Sequence, residues 1–413
     1  MNDSTPLKIA VIGAGPVGLA LALHAANALP EASVTLFDAR PATKDLSADP
    51  RTLALSLGSV QLLQRLGAWR PDQAQPIAEV HVSQQAPSLL GNFLPFAARL
   101  AAPELTIRAV DEAVPMLGAV MAYGAIVAPL QEVWLAAERR EPARLASRFD
   151  TPVTALKPVD SGGVEVDAAI AERFDLAVIA EGAVFAPTAQ TGLVARSRSA
   201  PLRHDYRQTA WVGSATFEPG TARGANGVAY ERFTRHGPAA LLPRRDGSAA
   251  LVWCVDSADD PVRDLDDAQR VVVLNTIFHP RTPRIASLSP LKAFALGLSA
   301  ERTLAEGRTV RIGNAAQTLH PVAGQGLNLG MRDAFELVRA LAAARDVDAA
   351  LRKVEWQRAP DRWAMIAATD FLARSFTWTL PGAGTARGLG LAALQALGPV
   401  KSKIARQMMF GSR

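Results

Sequence analysis

A single cysteine, Cys254, stands among the 413 residues. That excludes an intramolecular disulfide and a thiolate metal cluster, and makes a reducing, cytoplasmic-side compartment the expectation. The six histidines form no i, i+4 pair and have no cysteine companions, so no metal site is expected. The long stretch without a charged residue at 113–131 is interrupted by Pro115, Gly118, Gly124 and Pro129, which argues against a membrane-spanning helix there. The formal charge of +5 is spread without a long Lys/Arg run, so no nucleic-acid partner is expected. Aromatic residues make up only 6%, against 49% hydrophobic residues overall. Such a chain buries large cores, which rules out disorder, and its length suggests two or three structural units.

The clearest positive signal is near the N-terminus. Lys8-Ile-Ala-Val-Ile reads as a short apolar strand, followed by a turn and an alanine- and leucine-rich helix. Gly13, Gly15 and Gly18 complete G-x-G-x-x-G across that turn. Gly13 allows the tight turn, Gly15 lets the backbone approach a pyrophosphate, and Gly18 lets helix and strand pack closely. A second strand, Ser33-Val-Thr-Leu-Phe, ends at Asp38, an acid placed to accept hydrogen bonds from a ribose diol. A signal-peptide reading of residues 9–26 is rejected, because the preceding segment contains Asp3 and only Lys8 as a basic residue. The fingerprint specifies a dinucleotide, and NAD and FAD both fit it.

Two further segments narrow the choice. Residues 49–69 place Arg51 shortly before a helix with an apolar face. Residues 310–333 read as a strand, a glycine-rich loop and the start of a helix, a loop able to press backbone N–H groups against a flat or anionic ligand. With Ala54-Leu-Ser-Leu-Gly-Ser, Glu231-Arg-Phe-Thr-Arg-His-Gly-Pro and Leu251-Val-Trp-Cys254, these segments resemble the flavin-dependent aromatic hydroxylases typified by para-hydroxybenzoate hydroxylase. Within them the chain resembles the ubiquinone-biosynthesis branch, and most of all its 2-polyprenyl-6-methoxyphenol hydroxylases. The resemblance extends over nearly the whole chain.

The resemblance implies an FAD-dependent monooxygenase that hydroxylates the ring of a polyprenylated phenol through a flavin C4a-hydroperoxide, with NAD(P)H as a transient reductant. Gly13, Gly15 and Gly18 would hold the FAD pyrophosphate, Asp38 the adenosine ribose, and Arg51 would lie near the flavin and its phosphates. Gly313 and Asn314 fall where the family has Gly-Asp facing the ribityl chain. Pro321, Gly324, Gly326, Leu327 and Asn328 would line the isoalloxazine ring. No single catalytic side chain is identified; Pro321, Gly324, Gln325 and Gly326 are the flavin-proximal candidates. Glu181 stands where the family usually has aspartate. His236 and His320 are expected to be hydrogen-bonded structural residues, Ser56 and Ser59 helix caps or exposed residues, and Trp253, Phe233 and Tyr230 either pocket lining or core.

The expected fold class is α/β: a Rossmann-like FAD-binding domain interleaved with an antiparallel-sheet substrate domain, plus C-terminal helices. The FAD-binding domain takes 1–75, 101–185 and 296–345, the substrate domain 76–100 and 186–295, and the C-terminal helical region 346–413. Local patterning predicts helices over 108–121 and 129–140, and helices after 330 broken at Pro360, Pro381 and Pro399. Residues 388–410 combine an uncharged run with Lys401, Lys403 and Arg406, a pattern suited equally to an anionic membrane surface and to packing on the chain's own domain or on a partner. The expected location is cytoplasmic, with peripheral contact at the inner face of the membrane as one option. Two rivals are kept: a hydroxylase acting at another ring position or on a soluble phenol, and a catalytically weak scaffold subunit that binds other ubiquinone-biosynthesis proteins.

Overall fold

A computed structural model describes residues 6–375 and 383–411, apart from 48, 50, 86–103, 161, 183–199 and 223–225. The break expected at Pro381 lies outside the described residues.

The first sheet is six-stranded and largely parallel, ordered Ala305–Glu306, Thr309–Arg311, Leu176–Ile179, Lys8–Ile12, Ser33–Phe37, Leu145–Arg148. Residues 9–12 of the strand Lys8–Ile12 are buried on both faces, as their unbroken apolar run requires. Ile9 and Val11 face a core built with the helices Pro16–Ala28, Tyr123–Arg140 and Gly326–Ala343. Ala10 and Ile12 face Leu156, Val164 and Phe174 of a three-stranded antiparallel meander.

The second sheet is nine-stranded. Its main path runs Gln317–Thr318, Lys292–Ala300, Leu202–Phe217, Ala249–Asp256, Gly237–Pro243, Val228–Thr234, Glu79–Gln84, Glu104–Arg108. Alternation along these strands separates two faces. Leu241, Leu251 and Trp253 pack beneath the helix Asp267–Ile277, while Ala240, Leu242 and Val252 line a cavity on the other side. Trp253 is therefore core, whereas Phe233 and Tyr230 reach the cavity.

Several local expectations are corrected. Where a helix over 108–121 was expected, Arg108 ends a strand, 109–117 form turns, and the strand Gly118–Ala122 follows, pairing with Thr52–Ser56 and Gln75–Ile77. Helical propensity loses there to strand pairing: a Cβ on Gly118 would stand 2.2 Å from the Leu55 carbonyl oxygen. The next helix begins at Tyr123 rather than Pro129. Glu104–Arg108, grouped from sequence with the nucleotide domain, pairs instead with Glu79–Gln84 at the edge of the nine-stranded sheet. Pro360 does not break the helix Val347–Ser375. Arg358 and Arg362, on either side of it, are anchored to Asp333 and Gln317, which holds the helix together through the missing N–H. Pro399 does mark a boundary, in the first turn of Gly398–Phe410.

Candidate cofactor and substrate site

The fingerprint glycines do different jobs. Gly13 has φ +102°, and a Cβ there would stand 2.9 Å from the Glu181 backbone nitrogen. A Cβ on Gly18 would be 1.9 Å from the Gly13 carbonyl oxygen. Both are required by the chain's own packing. Gly15 is not: its φ is −76°, and a Cβ would meet only the Tyr123 hydroxyl, at 3.7 Å. The space in front of Gly15, at the start of the helix Pro16–Ala28, is thus free for an anionic group against the unpaired helix N–H groups. The geometry fits a dinucleotide pyrophosphate.

Asp38 is buried and accepts a 2.6 Å hydrogen bond from the Ala14 backbone N–H, fixing the glycine turn. Its oxygens also accept from the Arg40 guanidinium at 2.9 Å. Burial pushes the Asp38 carboxyl up, but the hydrogen bonds and charge of Arg40 and the Ala14 N–H outweigh it and hold the carboxyl below its ordinary range. Arg40, which also donates to the Ala14 carbonyl, is a site residue that sequence reasoning missed. Glu181 sits beside the same turn, its carboxyl raised by burial and by the Asp38 charge. Arg51 is ion-paired to Asp49 at 2.8 Å, and its guanidinium lies over the Tyr123 ring at 4.1 Å. Arg51 and Tyr123 thus form a flank reaching toward Gly15.

The 313–328 segment follows the edge of the first sheet. Gly313 packs against Gly330, where a Cβ would stand 2.8 Å from the Gly313 α-carbon, so this pair sets loop-to-helix packing. Asn314 is exposed and faces the start of the helix Gly326–Ala343: its Oδ1 would lie 3.8 Å from a Cβ on Gly326. Pro321, Gly324, Gln325 and Asn328 form one end of the cavity, while Leu327 packs on the core between the first sheet and its helices. The buried Asn328 side chain is fully engaged by the chain. Its Oδ1 accepts from the Ser56 N–H at 2.7 Å and the Ser59 hydroxyl at 2.8 Å, and its Nδ2 donates to the Ala54 and Gly324 carbonyls at 3.1 Å. It staples the loop to the strand that follows Arg51. Ser56 is indeed the N-cap of the helix Leu57–Arg65.

Beneath the loop lies a polar network invisible to local patterning. Asp333 accepts from Gln317 at 3.0 Å and Arg358 at 2.8 Å; Asp361 accepts from Arg332 at 2.9 Å, Arg358 at 2.6 Å and Gln407 at 2.9 Å. Fully buried charges of this kind hold position when paired. They lock the helix Val347–Ser375, and through Gln407 the last helix, to the first half of the helix Gly326–Ala343. His320 is buried, accepts the Val322 N–H at Nδ1 and contacts Gln208 Oε1 at 2.9 Å through Nε2. Burial pushes its pKa down to about 4, so it is neutral and structural. His236 lies at the hairpin beside Thr234, whose hydroxyl accepts its backbone N–H at 3.1 Å.

The cavity has a volume of about 320 Å³ and an apolar lining. Its floor is the inner face of the nine-stranded sheet, one end is the 321–328 loop, and the other is made by Leu391 and Leu394 with Ile404, Ala405 and Met409 of the last two helices. The C-terminal contribution could not be read from sequence spacing.

The fold also assembles a histidine pair that spacing did not suggest. His81, Glu104 and His279 bring ligand-type atoms within 4.8 Å of one another. Glu104 contacts His81 Nε2 at 2.8 Å and His279 Nε2 at 2.9 Å, and it also receives Arg281 at 3.2 Å. The Arg281 N–H donates to His279 Nδ1, which leaves Nε2 as the protonated nitrogen facing the carboxylate. The set is organised as an ionic hydrogen-bond cluster.

Comparison with known proteins agrees with this geometry. Residues 192–369 match a family model described as an FAD binding domain. The chain is 28% identical over 411 residues to the 3-demethoxyubiquinol 3-hydroxylase of Escherichia coli, covering 96% of each. It is 33% identical to the ubiquinone hydroxylase UbiL of Rhodospirillum rubrum over 49% of this chain and 48% of that one. Among solved structures, p-nitrophenol 4-monooxygenase PnpA from Pseudomonas putida superposes with a TM-score of 0.70 at 15% identity, covering 99% of this chain and 100% of that one. HpxO of Klebsiella pneumoniae, complexed with FAD and uric acid, gives a TM-score of 0.66 at 16% identity, covering 98% and 97%. The chain thus has the fold of these solved structures, and in sequence it is similar to an FAD binding domain and to ubiquinone-biosynthesis hydroxylases.

Proposed function

We propose that the protein hydroxylates the aromatic ring of a polyprenylated phenol in ubiquinone biosynthesis, with NAD(P)H as reductant. The observation that carries this is the apolar cavity, bounded by the flavin-side loop at one end and by the last two helices at the other. When bound, FAD supplies the redox and oxygen chemistry; the chain supplies binding, orientation and exclusion of water. Gly13, Gly15, Gly18, Asp38 and Arg51 hold the dinucleotide, joined by Arg40. Gly313 and Asn314 face the ribityl chain, and Pro321, Gly324, Gly326, Leu327 and Asn328 shape the ring site. The first sheet with its helices is the FAD side, and the nine-stranded sheet the substrate side.

The same reading takes the 388–410 segment to an anionic membrane surface on the cytoplasmic face, where a prenylated substrate resides. Among the described residues no helix is long and apolar enough to cross a membrane. Leu389, Leu397, Val400 and Ile404 are exposed, and Ile404 also lines the cavity. Apolar contact carries this part of the reading, since Lys401 donates to the Thr106 carbonyl and Arg406 lies 3.5 Å from Glu112.

Deleting the encoded protein and identifying the quinone intermediate that accumulates tests the function. A prenylated phenol lacking one hydroxyl supports it; normal ubiquinone content contradicts it. A colourless purified protein that still binds other proteins of the pathway would favour the scaffold reading.

A further inference from the structure

The last helix, Gly398–Phe410, turns two neighbouring faces to the rest of the chain. Ile404, Ala405, Met408 and Met409 wall the apolar end of the cavity. Gln407 and, just past the helix, Gly411 meet the buried pair Arg332 and Asp361 instead. The Gln407 side chain donates through Nε2 to Asp361 Oδ1 at 2.9 Å. Gly411, at φ +75°, lies so near that a Cβ would stand 2.7 Å from Arg332 Nη1 and 3.2 Å from Asp361 Oδ1. One helix thus touches both the cavity and this ion pair.

The pair leads on to the other end of the cavity. Arg332 grips both Asp361 oxygens through Nη1, at 3.0 and 2.9 Å, and donates through Nη2 to Gln325 Oε1 at 3.2 Å. Its Nε donates to the Asn328 carbonyl at 3.4 Å. Gln325 and Asn328 both line the loop end. A guanidinium is planar, so a shift of the carboxylate held at Nη1 is passed to the group held at Nη2. Arg332 and Asp361 are 7% and 1% exposed, so water does little to loosen these charge-assisted bonds. Asp361 also depends on its partners more than a mid-helix residue usually does. It follows Pro360, which has no N–H for the Trp356 carbonyl, so one rung of the helix Val347–Ser375 is missing beside it. Arg332, Arg358 and Gln407 hold it in place, and of these Gln407 belongs to the helix that walls the cavity.

We infer that Gln407 is a positioning residue that ties the wall of the apolar end to the flavin-side loop, so that filling that end with a prenyl tail steadies the loop at the other. This inference rests on the proposed reading of the cavity as the site of a prenylated phenol. A tail packed against Ile404, Ala405, Met408 and Met409 holds the last helix in place. Gln407 then fixes the Asp361 carboxylate, Asp361 fixes the Arg332 guanidinium, and Arg332 fixes Gln325 Oε1. Gln407 acts through these neighbours, and the group it finally positions is the loop end of the cavity.

The test uses geraniol, a short prenyl alcohol with no aromatic ring, on the purified FAD-loaded protein. Calorimetry gives its affinity, and the flavin absorption spectrum reports on the loop. Wild type should bind geraniol and shift the flavin spectrum. Gln407→Met keeps the length of the side chain and removes the donor. It should bind geraniol within about threefold of wild type, while the spectral shift falls by about half or more. A residue that served packing alone would not separate the two readouts in this way. Flavin content and melting temperature are measured on each variant; if the methionine variant does not fold, Gln407→Ala must show the same loss. A full spectral shift in either variant would overturn the role of Gln407. So would a wild type that binds geraniol without any shift, or that binds a short-chain 2-prenylphenol but not geraniol, and these outcomes leave the phenol reading intact. Binding of neither compound by wild type would remove that reading itself, and this inference with it.

Discussion

Gly18 approaches the Gly13 carbonyl so closely that a methyl group would stand 1.9 Å from the oxygen, whereas Gly15, between them, has no backbone neighbour in its way. The two glycines should therefore fail differently. Gly18→Ala forces the helix off the strand and should cost about 1–3 kcal/mol of stability, as overpacking does. Gly15→Val should fold with a melting temperature near that of wild-type apoprotein and yet lose FAD, because its side chain fills the space left for the pyrophosphate. Flavin content and melting temperature measured on both variants check this; a flavin-replete Gly15→Val protein would show that the turn does not hold the cofactor.

Asp38 has two tasks, one inside the chain and one toward the cofactor. Removing its carboxylate leaves the Ala14 N–H and the Arg40 guanidinium without their acceptor. Asp38→Ala should weaken FAD binding by about 1.5–3 kcal/mol and should also lower the melting temperature of the apoprotein. Flavin release no faster than wild type would assign the ribose to another residue.

His320 makes stability fall in acid. Its folded pKa of about 4 lies below the ordinary 6.5, so between these values the unfolded chain takes up a proton that the folded chain refuses. Stability is full above pH 6.5 and declines as pH drops toward 4, by about 1.4 kcal/mol per pH unit from this group. His320→Gln should flatten the decline by about that slope in urea unfolding at pH 7.5, 6 and 5. An unchanged slope would show that the imidazole is not held neutral by burial.

Asn328 and Gly326 separate architecture from chemistry in the loop. Asn328→Ala leaves the buried Ser56 N–H and the Gly324 carbonyl unpaired and should cost at least about 2 kcal/mol. A Cβ on Gly326 meets only Asn314 Oδ1, at 3.8 Å, so Gly326→Leu should fold well while displacing the flavin ring. Full turnover per bound flavin in that variant would take Gly326 out of the active site.

What could be read from sequence was what is local. Gly13, Gly15, Gly18 and Asp38 fall within one strand–turn–helix–strand unit, and their spacing carries their geometry. The capping role of Ser56 is local in the same way. Arg40 was missed although it is two residues from Asp38, because its partner was assigned wholly to the ligand. The Asp333–Arg358–Asp361–Arg332 network, the meeting of His81 with His279 and the cavity wall from Met409 join positions far apart in the chain, and no periodicity marks them. Pro360 misled for the same reason: the ion pairs that carry the helix through it are tertiary.

If this fold brings FAD and a prenylated phenol together in one cavity, oxygen transfer to the ring should be directly observable. Purified flavin-loaded protein, supplied with NAD(P)H, labelled dioxygen and a short-chain 2-prenylphenol, tests it most directly by mass spectrometry of the phenol. One labelled oxygen atom is expected on the aromatic ring, formed in step with reductant consumed. Oxidation of the reductant with no oxygen transferred to the ring, by protein whose phenol binding is demonstrated, would contradict it.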